Sequence, residues 1–228
     1  NLVYKACRML KQEYQITRGI RVFLQKELPV AAGMAGGSAD AAAALIGMNK
    51  IFDLQIPKHK LMEYGVKLGA DVPYCIMRGT ALSEGIGEIL TELPAPPQCH
   101  LVIAKPQISV STKAVYGKLR VNELASEEHP DIDGMMAAIK NGDLDGVIER
   151  LGNVLETVTV PDHPEIAEIK EIMVENGACG SLMSGSGPTV FGIFKDKGMA
   201  EGCARSLEEY CDQVFVCRPV SKGCEIVD

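Results

Sequence analysis

Several short stretches of this chain carry residue types that could bind phosphate and handle a hydroxyl group. The run 28–45, Leu-Pro-Val-Ala-Ala-Gly-Met-Ala-Gly-Gly-Ser-Ala-Asp-Ala-Ala-Ala-Ala-Leu, is a glycine-rich loop leading straight into alanine-rich helix sequence. Gly33, Gly36 and Gly37 permit a sharp turn and close approach of backbone to a ligand. Ser38 suits the N-cap of the following helix, and Asp40 places a carboxylate in its first turn. Open N–H groups at such a helix start bind anions, phosphate above all. The same small residues would equally serve close packing at a helix end. The loop has no terminal Gly-Lys-Ser/Thr and no G-x-G-x-x-G spacing, so neither a Walker A loop nor a dinucleotide fold is indicated.

Asp71 lies in Gly-Ala-Asp-Val-Pro, residues 69–73. It is either a turn former or a carboxylate held on stiff backbone, able to orient or deprotonate a hydroxyl. A second small-residue turn, Ser184-Gly185-Ser186-Gly187-Pro188-Thr189, reads as a simple hairpin or as a loop that approaches phosphate closely. Lys26 is an ordinary solvated residue or a long stem lying beside a bound base. The run 110–112, Val-Ser-Thr, reads as an N-cap, and Tyr116 one turn later as core or rim.

The elements that must position these residues follow from periodicity. Leu2, Val3, Ala6, Met9 and Leu10 recur at helical spacing. Ile20-Arg-Val-Phe-Leu24 predicts a short strand before the loop, and the loop helix runs to about Phe52. Pro57 opens a further helix, and residues 79–90 form a hairpin around glycine turns. Residues 93–97, Leu-Pro-Ala-Pro-Pro, mark a linker, dividing the chain into domains 1–97 and 98–228. Beyond it, strands are expected at 100–104, 181–183, 189–194 and 213–217, with helices at 111–121, 131–141, 144–156, 164–176 and 198–210. That order suits an α+β arrangement of antiparallel sheet and helices.

Composition bounds the function. The 228 residues can bury a sizeable core, and 46% are hydrophobic and 23% charged, as in ordinary globular proteins. A net charge of -7 and the lack of any basic stripe argue against a nucleic-acid partner. No apolar stretch is long enough to span a bilayer. The eight cysteines form no C-x-x-C pair, so buried, reduced thiols in a cytoplasmic compartment are expected. The four histidines are scattered and show no metal-ligand spacing, so no metal held mainly by side chains is expected. The chain opens at Asn1, already in helical sequence and without a signal-peptide pattern, so a further upstream segment is expected.

Taken together, these blocks resemble a known family. Pro29-x-x-x-Gly33-x-x-Gly36-Gly37-Ser38-x-x-Ala41-Ala42 is similar to the second motif of the GHMP kinases, which phosphorylate small alcohols with ATP. Met183-Ser-Gly-Ser-Gly-Pro-Thr-Val-Phe191 is similar to their third motif. The blocks Gly69-Ala-Asp-Val-Pro73, Gly79-Thr-Ala, Glu84-Gly-Ile-Gly-Glu88, Lys105-Pro, Val110-Ser-Thr112 and Val115-Tyr116 resemble the branch acting on a cytidine diphosphate derivative in non-mevalonate isoprenoid biosynthesis. The resemblance covers residues 1–217. It implies a two-domain fold, ribosomal protein S5 domain 2-like followed by ferredoxin-like, lacking its first segment. It also implies a bacterial cytosolic enzyme that uses ATP and Mg²⁺.

The resemblance further implies roles. Asp71 matches the catalytic aspartate. Pro29, Val30, Ala31, Ala32, Gly33, Met34, Ala35, Gly36, Gly37, Ser38 and Ala39 match the ATP phosphate loop, with Ser38 near Mg²⁺. Asn1 and Lys26 match positions near adenine, and Thr112 and Tyr116 the substrate side. Two departures stand out. Ala35 and Ala39 replace residues that are commonly glycine and serine, which leaves phosphate to backbone N–H groups. The family's first motif, with a lysine and part of the cytidine pocket, would precede Asn1. A homoserine or mevalonate type of kinase, or a nucleotide-binding module without catalysis, are the alternatives.

Overall fold

The apolar spacing near the start of the chain builds α1 (Leu2–Glu13), whose buried face is Val3, Ala6, Cys7 and Leu10. Asn1 caps it, its Oδ1 accepting from the Val3 N–H at 2.8 Å. In the computed structural model, residues 1–27 and 32–227 are described. Among these residues the chain divides into two units. One comprises the described parts of Asn1–Val30, Ala35–Ala95 and Val220–Asp228, the other those of Ala31–Met34 and Pro96–Pro219.

In the first unit, α2 (Gly36–Ile51) lays Ala41, Ala42, Leu45 and Met48 against the apolar face of α1. α3 (Lys58–Val66) follows Pro57, which sits at its N-cap. α4 (Val72–Met77) packs closely on α3: a Cβ on Gly65 would lie 3.0 Å from Val72 Cγ1. β1 (Thr80–Glu84) and β2 (Ile89–Leu93) form an antiparallel hairpin with Thr80 opposite Leu93. The strand expected at 20–24 is not formed among the described residues, and Phe23 is 89% exposed. A strand exists only through its ladder, and no described strand runs beside this segment.

The second unit is built on an antiparallel sheet of β3 (His100–Lys105), β4 (Gly180–Met183), β5 (Val190–Phe194) and β6 (Gln213–Cys217), in the order β4-β5-β3-β6. Its register pairs Leu101 with Cys217, His100 with Phe194 and Met183 with Val190. Between β3 and β4 come α5 (Thr112–Lys118), two single turns, α6 (Ile132–Asn141), α7 (Leu144–Glu149), α8 (Glu156–Asp162) and α9 (Glu165–Glu175). α10 (Lys197–Leu207) connects β5 to β6. Ile166, Ile169 and Met173 of α9 and Ala200, Cys203 and Leu207 of α10 share one core with Val102, Ala104, Val190 and Phe194 of the sheet. Strand, helix, two strands, helix, strand, in this order, is the ferredoxin-like path.

The helix expected over 144–156 is broken in two. α7 stops at Glu149, and α8, not anticipated, begins at Glu156 and carries Pro161 in its last turn. Gly152 and Asn153 interrupt the helical run, and Asn153 Oδ1 accepts from the Leu155 N–H at 3.0 Å. All eight cysteines are free thiols, but Cys179 and Cys217 are exposed, contrary to the expectation of burial. Burial pushes the Cys203 and Cys211 thiols up to about 11.

Candidate functional site

The start of α2 is shaped by a left-handed residue, not by a serine cap. Ala35 occupies the N-cap at φ 49, ψ 22 with no side-chain hydrogen bond. Ser38 is therefore inside the first turn, a correction to its expected N-cap place. The helix begins earlier because Ala35 itself makes the bend. The first intrahelical bond runs from Ala39 N to Ala35 O at 2.9 Å, leaving the N–H groups of Gly36, Gly37 and Ser38 ahead of it. The Ser38 hydroxyl is half-buried and has no hydrogen-bond partner among the described residues. Asp40 falls beyond the first turn, which holds no acidic residue, and its Oδ2 lies 2.6 Å from Lys26 Nζ. That ammonium also stands 3.5 Å from where a Gly36 Cβ would be. The open N–H groups give this helix start the positive end of the helix dipole, while the nearby Lys26 ammonium is paired with Asp40. Pro29, Val30 and Ala31 lie outside the described residues. Ala32 is buried and Met34 half-buried.

Left-handed backbone costs an alanine about 1 kcal/mol that glycine does not bear. Ala35→Gly is therefore expected to raise thermal stability slightly, by about 0.5 kcal/mol once the freer unfolded chain is counted. Thermal unfolding checks it, and a loss of stability would contradict the left-handed cap.

In the second unit, the turn between β4 and β5 meets Gly33. Ser184 Oγ donates to the Gly33 carbonyl at 2.9 Å. Gly33 has φ +71, and a Cβ there would fall 2.6 Å from the Ser184 carbonyl oxygen and 3.0 Å from that of Gly187. The turn is closed by Ser184 N to Thr189 O at 2.8 Å and Gly187 N to Ser184 O at 2.9 Å. Ser186 is buried; its Oγ lies 2.8 Å from Thr112 Oγ1, and its carbonyl accepts from Thr159 Oγ1 at 3.3 Å. Buried Thr189 Oγ1 has no hydrogen-bond partner among the described residues. Ser111 caps α5, as expected of that run, and Tyr116 is 61% exposed.

Asp71, in the first unit, is exposed and stands at the N-cap of α4 in helical conformation. Its side chain makes no cap bond, and among the described residues it joins no ion pair. The backbone around it is stiff. Val72 N donates to Gly69 O at 3.2 Å, and Asp71 O accepts from Cys75 N at 3.1 Å. A Cβ added at Gly87 would lie 3.6 Å from Ala70 Cβ, so the hairpin turn runs near the residue before Asp71. Burial foremost, with Cys224 and Asp71 adding, pushes the Cys75 thiol up to about 11. Asn1 Oδ1 is engaged in its own helix cap.

Sequence reasoning missed Asn153, Glu156 and Arg78. Asn153 Nδ2 donates to the carbonyls of Met183 at 2.9 Å and Gly185 at 2.8 Å. Glu156 Oε1 accepts from Met183 N at 2.7 Å, and its Oε2 pairs with Lys170 Nζ at 2.6 Å. Only the Gly-Asn pair after a helical run was a signal, and it announced a turn, not a partner. Arg78 has φ 71, ψ 176, backbone space that glycine favours, and its guanidinium donates to the Cys224 carbonyl. Cys224 Sγ in turn approaches Ala39 O at 3.5 Å.

No group of three or more His, Cys, Asp or Glu suited to a metal occurs among the described residues. No helix among them is long and apolar enough to cross a membrane.

Comparison with known proteins matches residues 1–79 to the GHMP kinases N terminal domain and residues 135–213 to the GHMP kinases C terminal domain. A protein of Lachnospira eligens named 4-diphosphocytidyl-2-C-methyl-D-erythritol kinase is 56% identical over 209 residues, covering 92% of this chain and 72% of that protein. The crystal structure of a 4-(cytidine 5'-diphospho)-2C-methyl-D-erythritol kinase superposes with TM-score 0.81 at 28% identity, covering 96% of this chain and 77% of the other. A homoserine kinase from Cytophaga hutchinsonii reaches TM-score 0.81 at 20% identity over 98% of this chain and 76% of its own, a likeness of fold alone.

Proposed function

The chain belongs to the GHMP kinase family, and on that premise we propose that it transfers the γ-phosphate of ATP to the 2-hydroxyl of 4-diphosphocytidyl-2-C-methyl-D-erythritol. The observation that carries the choice of alcohol is the 56% identity to the Lachnospira eligens kinase across 92% of this chain. The likeness to homoserine kinase, at 20% identity, speaks for the fold and not for homoserine. The reaction places the protein in non-mevalonate isoprenoid biosynthesis. Its bacterial relatives and eight free thiols support a cytoplasmic location.

Phosphoryl transfer asks the protein for positioning and charge stabilisation more than for covalent chemistry. The N–H groups of Gly36, Gly37 and Ser38 and the dipole of α2 supply an anion site for the triphosphate. The Lys26 ammonium is occupied by Asp40, so its methylene stem is the part left to lie along a base. Asn1, its Oδ1 spent on the cap, keeps its amide donors for adenine. Asp71, free of ion pairs among the described residues, accepts the proton of the attacking hydroxyl or orients it. The hydroxyl oxygen forms its bond to the γ-phosphorus as the bond to the β-bridging oxygen breaks and ADP leaves. Thr112 and Tyr116 are assigned to the substrate side.

Mg²⁺ fits these residues as an ion held mostly by phosphate oxygens. The Ser38 hydroxyl lacks a partner among the described residues, and no larger cluster of ligands is needed. Bound there with ATP, Mg²⁺ would neutralise charge on the phosphates.

Turnover with ATP on the cytidyl substrate, homoserine and mevalonate in parallel tests the reading. At least a hundredfold preference in kcat/KM for the cytidyl substrate is expected, about 2.7 kcal/mol in the transition state. A preference for either other alcohol overturns the substrate, and no turnover on any favours a binding module.

A further inference from the structure

We infer that Asn153 is a positioning residue for nucleotide binding, acting through the 184–187 turn on the first glycine loop. The inference rests on the kinase reading above. Asn153 sits where α7 has ended and α8 has not begun, so its side chain is not committed to a helix face. Its amide is fully used. Both N–H bonds of Nδ2 go to carbonyls on either side of Ser184, those of Met183 and Gly185. Its Oδ1 is fixed by the Leu155 N–H, which sets the direction in which Nδ2 points. Glu156 adds a third hold by accepting from Met183 N, and Lys170 keeps that carboxylate in place. The backbone on both sides of Ser184 is thereby clamped from one segment, residues 153–156.

What is clamped matters because of the next contact. Ser184 Oγ donates to the Gly33 carbonyl, three residues before α2 begins. Gly33 lies against the carbonyls of Ser184 and Gly187 so closely that no Cβ would fit. The path from Asn153 to Gly33 thus runs through two hydrogen bonds to the Met183 and Gly185 carbonyls, the backbone between them, and the Ser184 hydrogen bond to Gly33, all within one unit. This half-buried amide serves two carbonyls, and an aliphatic side chain in its place would remove the donor of each. The turn would then relax, and Gly33 with it. Asn153 touches no reacting atom in this scheme.

The test compares wild type, Asn153→Ala, Ser184→Ala and the double variant. Calorimetric titration with a non-hydrolysable ATP analogue gives the dissociation constant. Steady-state kinetics gives KM for ATP and for the alcohol separately. Asn153→Ala is expected to weaken analogue binding about tenfold and raise KM for ATP alike, with KM for the alcohol unchanged. Ser184→Ala should weaken analogue binding about threefold, and the double variant no more than Asn153→Ala alone, because both act on one path. Wild-type affinity in Asn153→Ala, or multiplied losses in the double variant, would overturn the inference. If Asn153→Ala fails to fold, Ser184→Ala decides alone: wild-type affinity there breaks the path. A wild-type protein that binds no analogue overturns the kinase reading instead.

Discussion

Asp71→Asn is expected to lower kcat about a thousandfold while changing ATP affinity by no more than about threefold. The size follows from the role: a positioned carboxylate that takes or directs a proton contributes roughly two to four orders of magnitude. The selectivity follows from the surroundings. Asp71 caps nothing with its side chain and pairs with no cation among the described residues, so an isosteric amide leaves the fold undisturbed. Its neighbours are held by backbone hydrogen bonds, none of which involve the carboxylate. Thermal unfolding of the variant should therefore match wild type within about 0.5 kcal/mol. Retention of more than a tenth of wild-type kcat would remove Asp71 from the chemistry. An equal loss of ATP affinity would move it to the nucleotide.

The parts of this molecule that were legible in the sequence are those set by local rules. The strands at 100–105, 190–194 and 213–217 are short apolar runs bounded by turn residues, and each forms in register. The hairpin at 80–93 follows from its glycines. The glycine loop before α2 was legible as a turn, yet its cap was misplaced, because a left-handed alanine has no residue-type signal. The strand at 20–24 had the right alternation and no described partner, which alternation alone cannot reveal. Least legible were Asn153 and Glu156. Their bonds reach the β4 end across 27 to 32 residues, and nothing in their own neighbourhood specifies that partner. The same holds for the Lys26 pair with Asp40, closed across 14 residues.

Gly33→Ala is expected to weaken binding of an ATP analogue at least tenfold and to destabilise the fold, whereas two other glycines of the same region separate those effects. At Gly33 the new Cβ has no room, since the atoms it meets are the Ser184 and Gly187 carbonyls, which are backbone and do not swing aside. The position also holds φ +71, which alone costs an alanine about 1 kcal/mol. Displacing the turn adds roughly 1–2 kcal/mol of overpacking strain. Gly37, by contrast, is helical, and its Cβ would meet Leu2 Cδ1 at a comfortable 3.7 Å. Gly37→Ala should thus stabilise α2 by roughly 0.5 kcal/mol yet still reduce analogue affinity, because a methyl group would stand where phosphate approaches the N–H groups. Gly47, in the same helix with nothing within 4 Å of its Cβ position, is the control. Gly47→Ala should gain the same stability at unchanged affinity. Thermal unfolding and analogue titration of the three variants distinguish a phosphate site from mere helix packing. If Gly37→Ala binds the analogue as well as Gly47→Ala does, the start of α2 is not where the phosphates lie. If Gly33→Ala retains both stability and affinity, the close contact between Gly33 and the 184–187 turn does not govern the site.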